Sequence, residues 1–401
     1  MANQGPSVAL VVGEETGDQL GAGLIDAIRR LRPAASFMGL AGERMKARGM
    51  DSIFPIGDVA VMGLGSIVAH LPRIVRRVHQ TVDAVLEAKP YVLVIIDSPD
   101  LTHAVAKRVV RKRPDLPIID YVSPSVWAWR PGRARRMRRY VDHVLALLPF
   151  EPAAHARLGG PACTYVGHPL IERVDELTPA PGERKPLGER PVLLVLPGSR
   201  RTEISRLMPA FGEAVRQIAA ERPDVEILLP AVSHLREEVG AHLDGWSVKP
   251  RLVNGEAEKF AAFRRAHAAL AASGTVTLEL GLAGVPVVVA YRVDAIARLL
   301  KPLLSVPSIV LTNLILEENA IPEFLDADAT PEVLARETLA LLADGNTRVA
   351  QLNALDRLKS KMALPSGERP SDKAAAIVLE AAENGWGRRA ALLQRRSEIG
   401  T

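Results

Sequence analysis

Leu196-Pro197-Gly198-Ser199-Arg200 follows the apolar run Val192-Leu193-Leu194-Val195 and precedes a periodic segment over 202–221. This order predicts a buried strand, a tight glycine-containing turn and a helix start. A helix N-terminus carries unpaired N–H groups and a partial positive charge, so it holds anions well. Arg200 stands where its planar fork can grip a phosphate through two donors. A second junction of this kind follows: the run 268–272, then Ser273-Gly274-Thr275, then a helical stretch over 276–283 that contains Glu279. Two such junctions in one half of the chain point to a diphosphate ligand. Glu279 is then available to the hydroxyls of an attached ribose. The competing reading is two ordinary β–α turns with a surface arginine, since such turns are common in doubly wound folds.

The rest of the chain keeps the same alternation. Apolar runs at 8–12, 92–96, 118–122, 144–148, 192–196, 226–229, 268–272 and 285–290 read as buried parallel strands. Amphipathic segments such as 19–31 and 82–88 lie between them. Strand–helix alternation means an α/β fold with parallel sheets and right-handed crossovers. Residues 178–189 are rich in proline, glycine and charge without periodicity, which reads as a linker. At 401 residues the chain is too long for one ordinary core. The expectation is two Rossmann-like domains facing a cleft, over 1–177 and 190–364. A helical stretch within 365–401 is expected to pack back on the first.

Composition narrows the function. Hydrophobic residues at 48% and charged residues at 24% are ordinary for a soluble globular protein. Aromatics at 4% argue against a stacking platform for single-stranded nucleic acid. A net charge of +5 suits nucleic acid, an anionic membrane or phosphorylated small molecules. The single cysteine, Cys163, excludes an intrachain disulfide and a thiolate metal cluster, and fits a reducing compartment. The apolar segment 7–12 is too short for a signal core and ends at Gly13-Glu14-Glu15. No uncharged apolar run is long enough to span a membrane. A cytoplasmic location is expected.

The first strand leads into Val12-Gly13-Glu14-Glu15-Thr16-Gly17-Asp18. Glycines here let the backbone approach a ligand at a helix N-terminus. The stretch is not the G-x-G-x-x-G pattern, and its acids repel a bare pyrophosphate. Helix capping by Thr16 or Asp18 is the plainer alternative. The run 92–96 ends in Asp97-Ser98-Pro99-Asp100. A carboxylate at the C-terminal end of a parallel strand faces the ligand crevice. Asp97 leaves the strand directly and Pro99 sets the turn after it, so Asp97 is the better general base. Asp100 is expected to cap a helix over 101–110, and both acids acting as caps is the alternative.

Asp326-Ala327-Asp328 matches the D-x-D pattern that holds a divalent cation in some sugar-nucleotide enzymes. It follows no buried strand and precedes Thr330-Pro331-Glu332, a helix start with proline at its first position, so it reads as a surface turn. His103 and His168 have no partners at metal-ligand spacing. No metal and no cofactor is expected. The run from Arg130 to Arg139 is strongly basic. Leu64, Ile67, Val68 and Leu71 recur at helical spacing, and Pro72 should kink or end their helix. Arg73, Arg76 and Arg77 follow. An apolar stripe with a cationic flank suits an anionic membrane surface. A core stripe and a solvated helix face are the alternatives. RNA is not favoured, since Trp127 and Trp129 are the only stacking rings near the basic run.

Together these motifs resemble the lipid-A-disaccharide synthase family, glycosyltransferases of the two-Rossmann-domain (GT-B) type. The family's opening G-E-x-S-G-D appears as Gly13-Glu14-Glu15-Thr16-Gly17-Asp18, and its I-D-x-P-D as Ile96-Asp97-Ser98-Pro99-Asp100. Tyr121-Val122-Ser123-Pro124-Ser125-Val126-Trp127-Ala128-Trp129-Arg130 is a long and specific match. So is Leu148-Pro149-Phe150-Glu151, followed by Gly167-His168-Pro169. In the second half, Leu196-Pro197-Gly198-Ser199-Arg200-x-x-Glu203 and Ala272-Ser273-Gly274-Thr275-x-x-Leu278-Glu279 fit, and Leu311-Thr312-Asn313-Leu314 follows the pattern. Departures are small: Thr16 stands for serine and keeps a hydroxyl, and Gln19 stands where an apolar residue is usual.

The resemblance implies a specific reaction. A UDP-2,3-diacylglucosamine donor gives its sugar to the 6-hydroxyl of 2,3-diacylglucosamine 1-phosphate. The products are the β-1,6-linked disaccharide 1-phosphate, a lipid A precursor, and UDP. An α-linked donor and a β-linked product mean inversion, with one base taking the acceptor proton. Asp97 is the expected base. Arg200 and the two helix starts are expected to stabilise the leaving diphosphate. The implied UDP contacts are Gly198, Ser199, Arg200, Glu203, Ser273, Gly274, Thr275, Glu279 and Asn313. The implied acceptor or sugar contacts are Gly13, Glu14, Thr16, Gly17, Asp18, Ser123, Trp127 and His168. Acylated substrates imply a peripheral protein on the cytoplasmic face of the inner membrane, touching it through Leu64, Ile67, Val68, Leu71, Arg73, Arg76 and Arg77. A homodimer is compatible with the sequence. Two readings stay open beside this one: a related two-domain enzyme on another UDP-sugar (an epimerase or a peptidoglycan glycosyltransferase), and a non-catalytic membrane- or RNA-binding protein.

Overall fold

Val92-Leu93-Val94-Ile95-Ile96 has no polar residue on either face, and all five residues are fully buried. A strand apolar on both faces belongs in the middle of a parallel sheet covered by helices. The computed structural model, which describes residues 5–59, 64–292, 306–364 and 367–385 but not the side chains of 64–71, builds two such sheets. The strands of the first are β1 (Ser7–Val12), β2 (Ser36–Leu40), β3 (Val92–Ile96), β4 (Ile118–Tyr121), β5 (His143–Ala146) and β6 (Ala162–Tyr165). Those of the second are β7 (Val192–Leu196), β8 (Glu226–Ala231), β9 (Arg251–Asn254), β10 (Ala268–Ala272), β11 (Val287–Tyr291) and β12 (Glu323–Leu325). Their orders are β2-β1-β3-β4-β5-β6 and β12-β11-β10-β7-β8-β9, with every pairing parallel.

The sequence reading identifies the eight inner strands and misses β2, β6, β9 and β12. These four are the sheet edges. Each is only partly buried and carries polar residues, so none makes an apolar run.

The chain forms two compact units, one from residues before Leu170 and after Ala363, the other from Leu170–Ala363. Residues 170–189 therefore go with the second unit instead of dividing between a domain end and a free linker. The Arg184 guanidinium explains this: it donates to the carbonyls of Ala283 (2.8 Å), Gly284 (2.7 Å), Arg264 (3.1 Å) and Phe263 (3.2 Å). His267 adds a tie. Its Nδ1 accepts from the Val192 N–H, which leaves Nε2 to donate to the Lys185 carbonyl at 2.8 Å.

Helix Pro370–Asn384 supplies Ala374, Ala375, Val378, Leu379, Ala381 and Ala382 to the first unit's core, beside Leu24, Ile25 and Ile28 of helix Glu15–Leu31. The small residues recur at spacings of three and four, so one flat face meets the neighbouring helix closely. Arg30–Asp372 and Arg32–Glu383 ion pairs flank that face. Helix Leu64–Ala88 runs through Pro72, so of the two expected outcomes, a kink or an end, the end does not occur. Proline removes one donor, and a helix of 25 residues keeps the rest of its ladder.

Candidate active site

In open α/β sheets, ligands bind beyond the carboxyl ends of the strands where strand order reverses. In the first unit that point lies between β1 and β3; in the second it lies between β7 and β10. The loops after these four strands hold the motifs singled out in the sequence. Register brings each pair level: Val12 pairs with Ile96, and Leu196 with Ala271.

In the first unit the two loops are tied side chain to side chain. The Ser98 hydroxyl donates to Glu14 Oε1 at 2.6 Å, and the Thr16 hydroxyl donates to Asp97 Oδ2 at 2.8 Å. Asp97 Oδ1 accepts the Ser98 N–H at 2.8 Å. A carboxylate offers about four lone-pair sites, so roughly half remain for a ligand. Gly13 is needed where the loops meet, because a Cβ there would stand 2.5 Å from Ser98 Cβ. Asp97 (φ +54°), Ser98 (φ +43°) and the β-branched Val122 (φ +90°) are all left-handed at strand ends. Such backbone costs of order 1–3 kcal/mol per residue and clusters at functional sites.

Two expectations change here. Asp100 does not cap its helix, which runs Pro99–Lys112 with Ser98 at the cap and no side-chain cap bond. Asp18 is scaffold: its buried carboxylate accepts the N–H groups of Gly42, Arg44 and Met45 at 2.8–3.1 Å, capping the next short helix, Glu43–Lys46. Those three bonds take most of its lone-pair sites, which supports a structural role over an acceptor contact. Gly17 is buried in the same turn, and Thr16 is exposed.

Ser123 and Trp127 lead to two buried polar groups: Glu151, which lies in a matched stretch, and His155, which no motif signals. Ser123 Oγ meets His155 Nε2 at 2.8 Å. The Trp127 indole N–H donates to Glu151 Oε1 (3.1 Å), and the Leu148 N–H donates to its Oε2 (3.0 Å). Burial outweighs these bonds and pushes the Glu151 carboxyl up to about 7. Phe150 packs edge-on against Trp127. His168 is held down to about 4 by desolvation, so it is neutral at pH 7. Beneath helix Pro99–Lys112, His103 Nε2 meets Asp120 Oδ2 at 3.0 Å and His103 Nδ1 meets the Tyr140 hydroxyl at 3.1 Å.

In the second unit, helix Arg201–Glu221 starts after Arg200 without a side-chain cap. Glu203 shapes the turn instead. Its Oε2 accepts the Ser199 N–H and its Oε1 accepts from Arg200 Nη1, each at 3.0 Å. Gly198 has φ +118°, and a Cβ there would stand 2.5 Å from Glu203 Oε2. Glu203 therefore aims Arg200, whose side chain is 70% exposed, and is itself mostly buried. At the other loop, Ser273 Oγ donates to the Ile309 carbonyl (2.8 Å), Gly274 has φ +150°, and Thr275 is exposed at an uncapped helix start. Glu279 is already engaged: both its oxygens accept from Lys259 Nζ at 2.9 Å, a partner the sequence reading missed. Asn313 is structural. Its amide exchanges two 2.9 Å bonds with the Ile321 backbone and is 2% exposed, so it pins a loop.

Leu64, Ile67, Val68 and Leu71 lie outside the described side chains. Of the three arginines after them, Arg77 pairs with Asp58 and lies over the Phe54 ring, and Arg73 reaches the same carboxylate at 3.6 Å. Arg76 is exposed. Among the described residues no helix is long and apolar enough to cross a membrane. Asp326–Asp328 forms a 3-10 turn before helix Pro331–Leu341, whose N-cap is Thr330.

Solved structures share this architecture. The glycotransferase of kitacinnamycin aligns with a TM-score of 0.60 at 17% identity, covering 93% of this chain and 98% of that one. The UDP-GlcNAc 2-epimerase from Neisseria meningitidis aligns at 0.58 and 13%, covering 94% and 99%. At such identities the likeness speaks for fold alone: the two-domain α/β fold of GT-B glycosyltransferases and epimerases. Sequence relatives are much nearer. The lipid-A-disaccharide synthase of Nitrobacter hamburgensis is 52% identical over 383 residues, 94% of this chain and 96% of that protein. That of Bradyrhizobium diazoefficiens is 50% identical over 381 residues, 94% and 97%. The family model for lipid-A-disaccharide synthetase matches residues 8–377, and the chain belongs to that family.

Proposed function

We propose that this chain is an inverting glycosyltransferase that makes the lipid A disaccharide. It joins UDP-2,3-diacylglucosamine to 2,3-diacylglucosamine 1-phosphate through a β-1,6 bond and releases UDP. The observation that carries the reading is the pairing of motif loops at both points of strand reversal. In the first unit Asp97 takes the proton of the acceptor 6-hydroxyl. That oxygen bonds to the donor's anomeric carbon as the carbon–phosphate oxygen bond breaks and UDP leaves with the electron pair. Thr16 and the Ser98 N–H hold the Asp97 carboxylate in one orientation, so its free lone pairs need no reorganisation. In the second unit Arg200 and the helix starts at Arg200 and Thr275 meet the growing charge on the diphosphate. Lys259 either stays on Glu279 or releases it to the ribose.

Acylated substrates support a peripheral position at the cytoplasmic face of the inner membrane. The stripe Leu64, Ile67, Val68, Leu71 with Arg76 is the proposed contact, Arg73 and Arg77 being committed to Asp58. Mass spectrometry of products from the two acylated substrates tests the reaction, and absence of a disaccharide 1-phosphate overturns it. Replacing Ile67, Val68 and Leu71 with polar residues should release the protein from anionic liposomes without lowering its melting temperature. Unfolding of that variant would make the stripe core.

A further inference from the structure

The first unit holds a cavity of about 590 Å³ against helix Pro99–Lys112. Lys107, Arg108 and Arg111 of that helix form one wall. Arg130, Arg133, Arg136 and Arg139 line it from a second segment, with Ala104, Val110 and Tyr140 among the uncharged lining. Among the described residues, Asp100 is the lining's only acid, and its side chain is 96% exposed, reaching Arg133 at 3.5 Å. At the floor, His103 Nε2 meets the Asp120 carboxylate at 3.0 Å and Nδ1 meets the Tyr140 hydroxyl at 3.1 Å. Asp120 is 1% exposed, so it lies below the lining and not in it. Burial and the neighbouring Arg133 and Arg136 charges hold the Lys107 amine below its ordinary range. Cations crowded around a recess repel one another, and a multivalent anion relieves that repulsion.

We propose that this cavity takes the phosphate monoester of the acceptor, a subsite that rests on the glycosyltransferase reading above. The substrates bring two anionic groups to the enzyme, a diphosphate and a phosphate monoester. The donor's diphosphate is matched to the glycine loops of the second unit. The remaining dianion belongs to the acceptor, whose hydroxyl must reach Asp97. Helix Pro99–Lys112 begins two residues after Asp97 and forms a wall of the cavity, so one rigid element serves both the proton acceptor and the anion site. Arginines on different segments suit a tetrahedral dianion approached from several sides. Arrangement in a recess, over a tyrosine ring that Lys107 covers at 5.0 Å, favours a single headgroup over a flat bilayer.

The test uses the full-length protein in detergent micelles. It compares 2,3-diacylglucosamine 1-phosphate with the same diacylglucosamine lacking the phosphate. The unaltered protein should prefer the phosphorylated acceptor in kcat/KM. Lys107→Gln with Arg133→Gln should reduce that preference by on the order of tenfold to a hundredfold, leaving KM for the UDP-sugar unmoved. Arg133→Lys should keep part of it. If the double variant melts early, Lys107→Gln alone gives the same readout from an exposed side chain. An unchanged preference overturns the subsite. Loss of binding to phosphatidylglycerol vesicles with the preference intact also overturns it and assigns the cavity to bilayer lipid. No disaccharide from either acceptor in the unaltered protein overturns the glycosyltransferase reading and this subsite with it.

Discussion

The Thr16 hydroxyl and Asp97 Oδ2 are 81 residues apart in sequence and 2.8 Å apart in space. Parallel pairing of β1 with β3 sets Val12 beside Ile96, so both loops leave the sheet at one level. The bond then fixes the carboxylate by a contact that neither loop makes alone.

Asp97→Asn keeps the shape and removes the basicity. Turnover should fall by roughly 10²–10⁴-fold with folding intact. Thr16→Val removes one hydrogen bond and should cost about tenfold. Initial rates beside thermal melts separate the two. Near-normal turnover in Asp97→Asn would transfer the role to another group, with Asp100 next in line.

At the second unit, Gly198→Ala meets both a positive φ and the Glu203 side chain. Stability should drop by about 1–3 kcal/mol in a urea titration. Calorimetry should show weaker UDP binding as well. Full UDP affinity in a destabilised variant would remove this turn from the nucleotide site.

Arg200→Ala should lower kcat by about 10²–10³-fold, because its contact strengthens as the diphosphate gains charge. Glu203→Gln leaves the arginine in place but loosens its aim, so its effect should be smaller and of the same kind. If Glu203→Gln proves the more damaging for UDP binding, the carboxylate itself touches the ligand.

Glu151 gives a pH signature. Its carboxyl, 3% exposed, lies near 7 in the folded chain and near 4.5 in an ordinary setting. A raised carboxyl pKa favours folding fully below pH of about 4.5, and the benefit is lost as pH rises through about 7. The contribution is on the order of 3 kcal/mol. His143, His155, His168 and His267 are all shifted down, so their contributions run the other way. The comparison of Glu151→Gln with the unaltered protein by urea unfolding at pH 5 and pH 8 therefore isolates this carboxyl. Identical pH dependence in both would mean Glu151 is ionised throughout.

Legibility in the sequence follows the range of the interactions. Inner strands show as apolar runs because both faces are buried, and the edge strands β2, β6, β9 and β12 do not. The turn glycines and Asp97 are legible because strand, turn and helix follow one another locally. Partners brought together by folding leave no local mark. Asp18 finds the backbone of Gly42 to Met45, Asn313 finds Ile321, and Glu279 finds Lys259. Two of the three were expected to face UDP, and only the folded chain shows what occupies their oxygens.

Among the described residues the last helix is Pro370–Asn384, and it completes the core of a unit whose strands all precede Leu170. During synthesis the second unit is therefore available in full before the first can close. Residues of β1 and β3 wait with one helical cover missing while the whole intervening unit is made. The nascent chain exposes apolar surface of the first unit for that interval, which is when aggregation or chaperone capture competes. Truncation anywhere before residue 370 makes that transient state permanent.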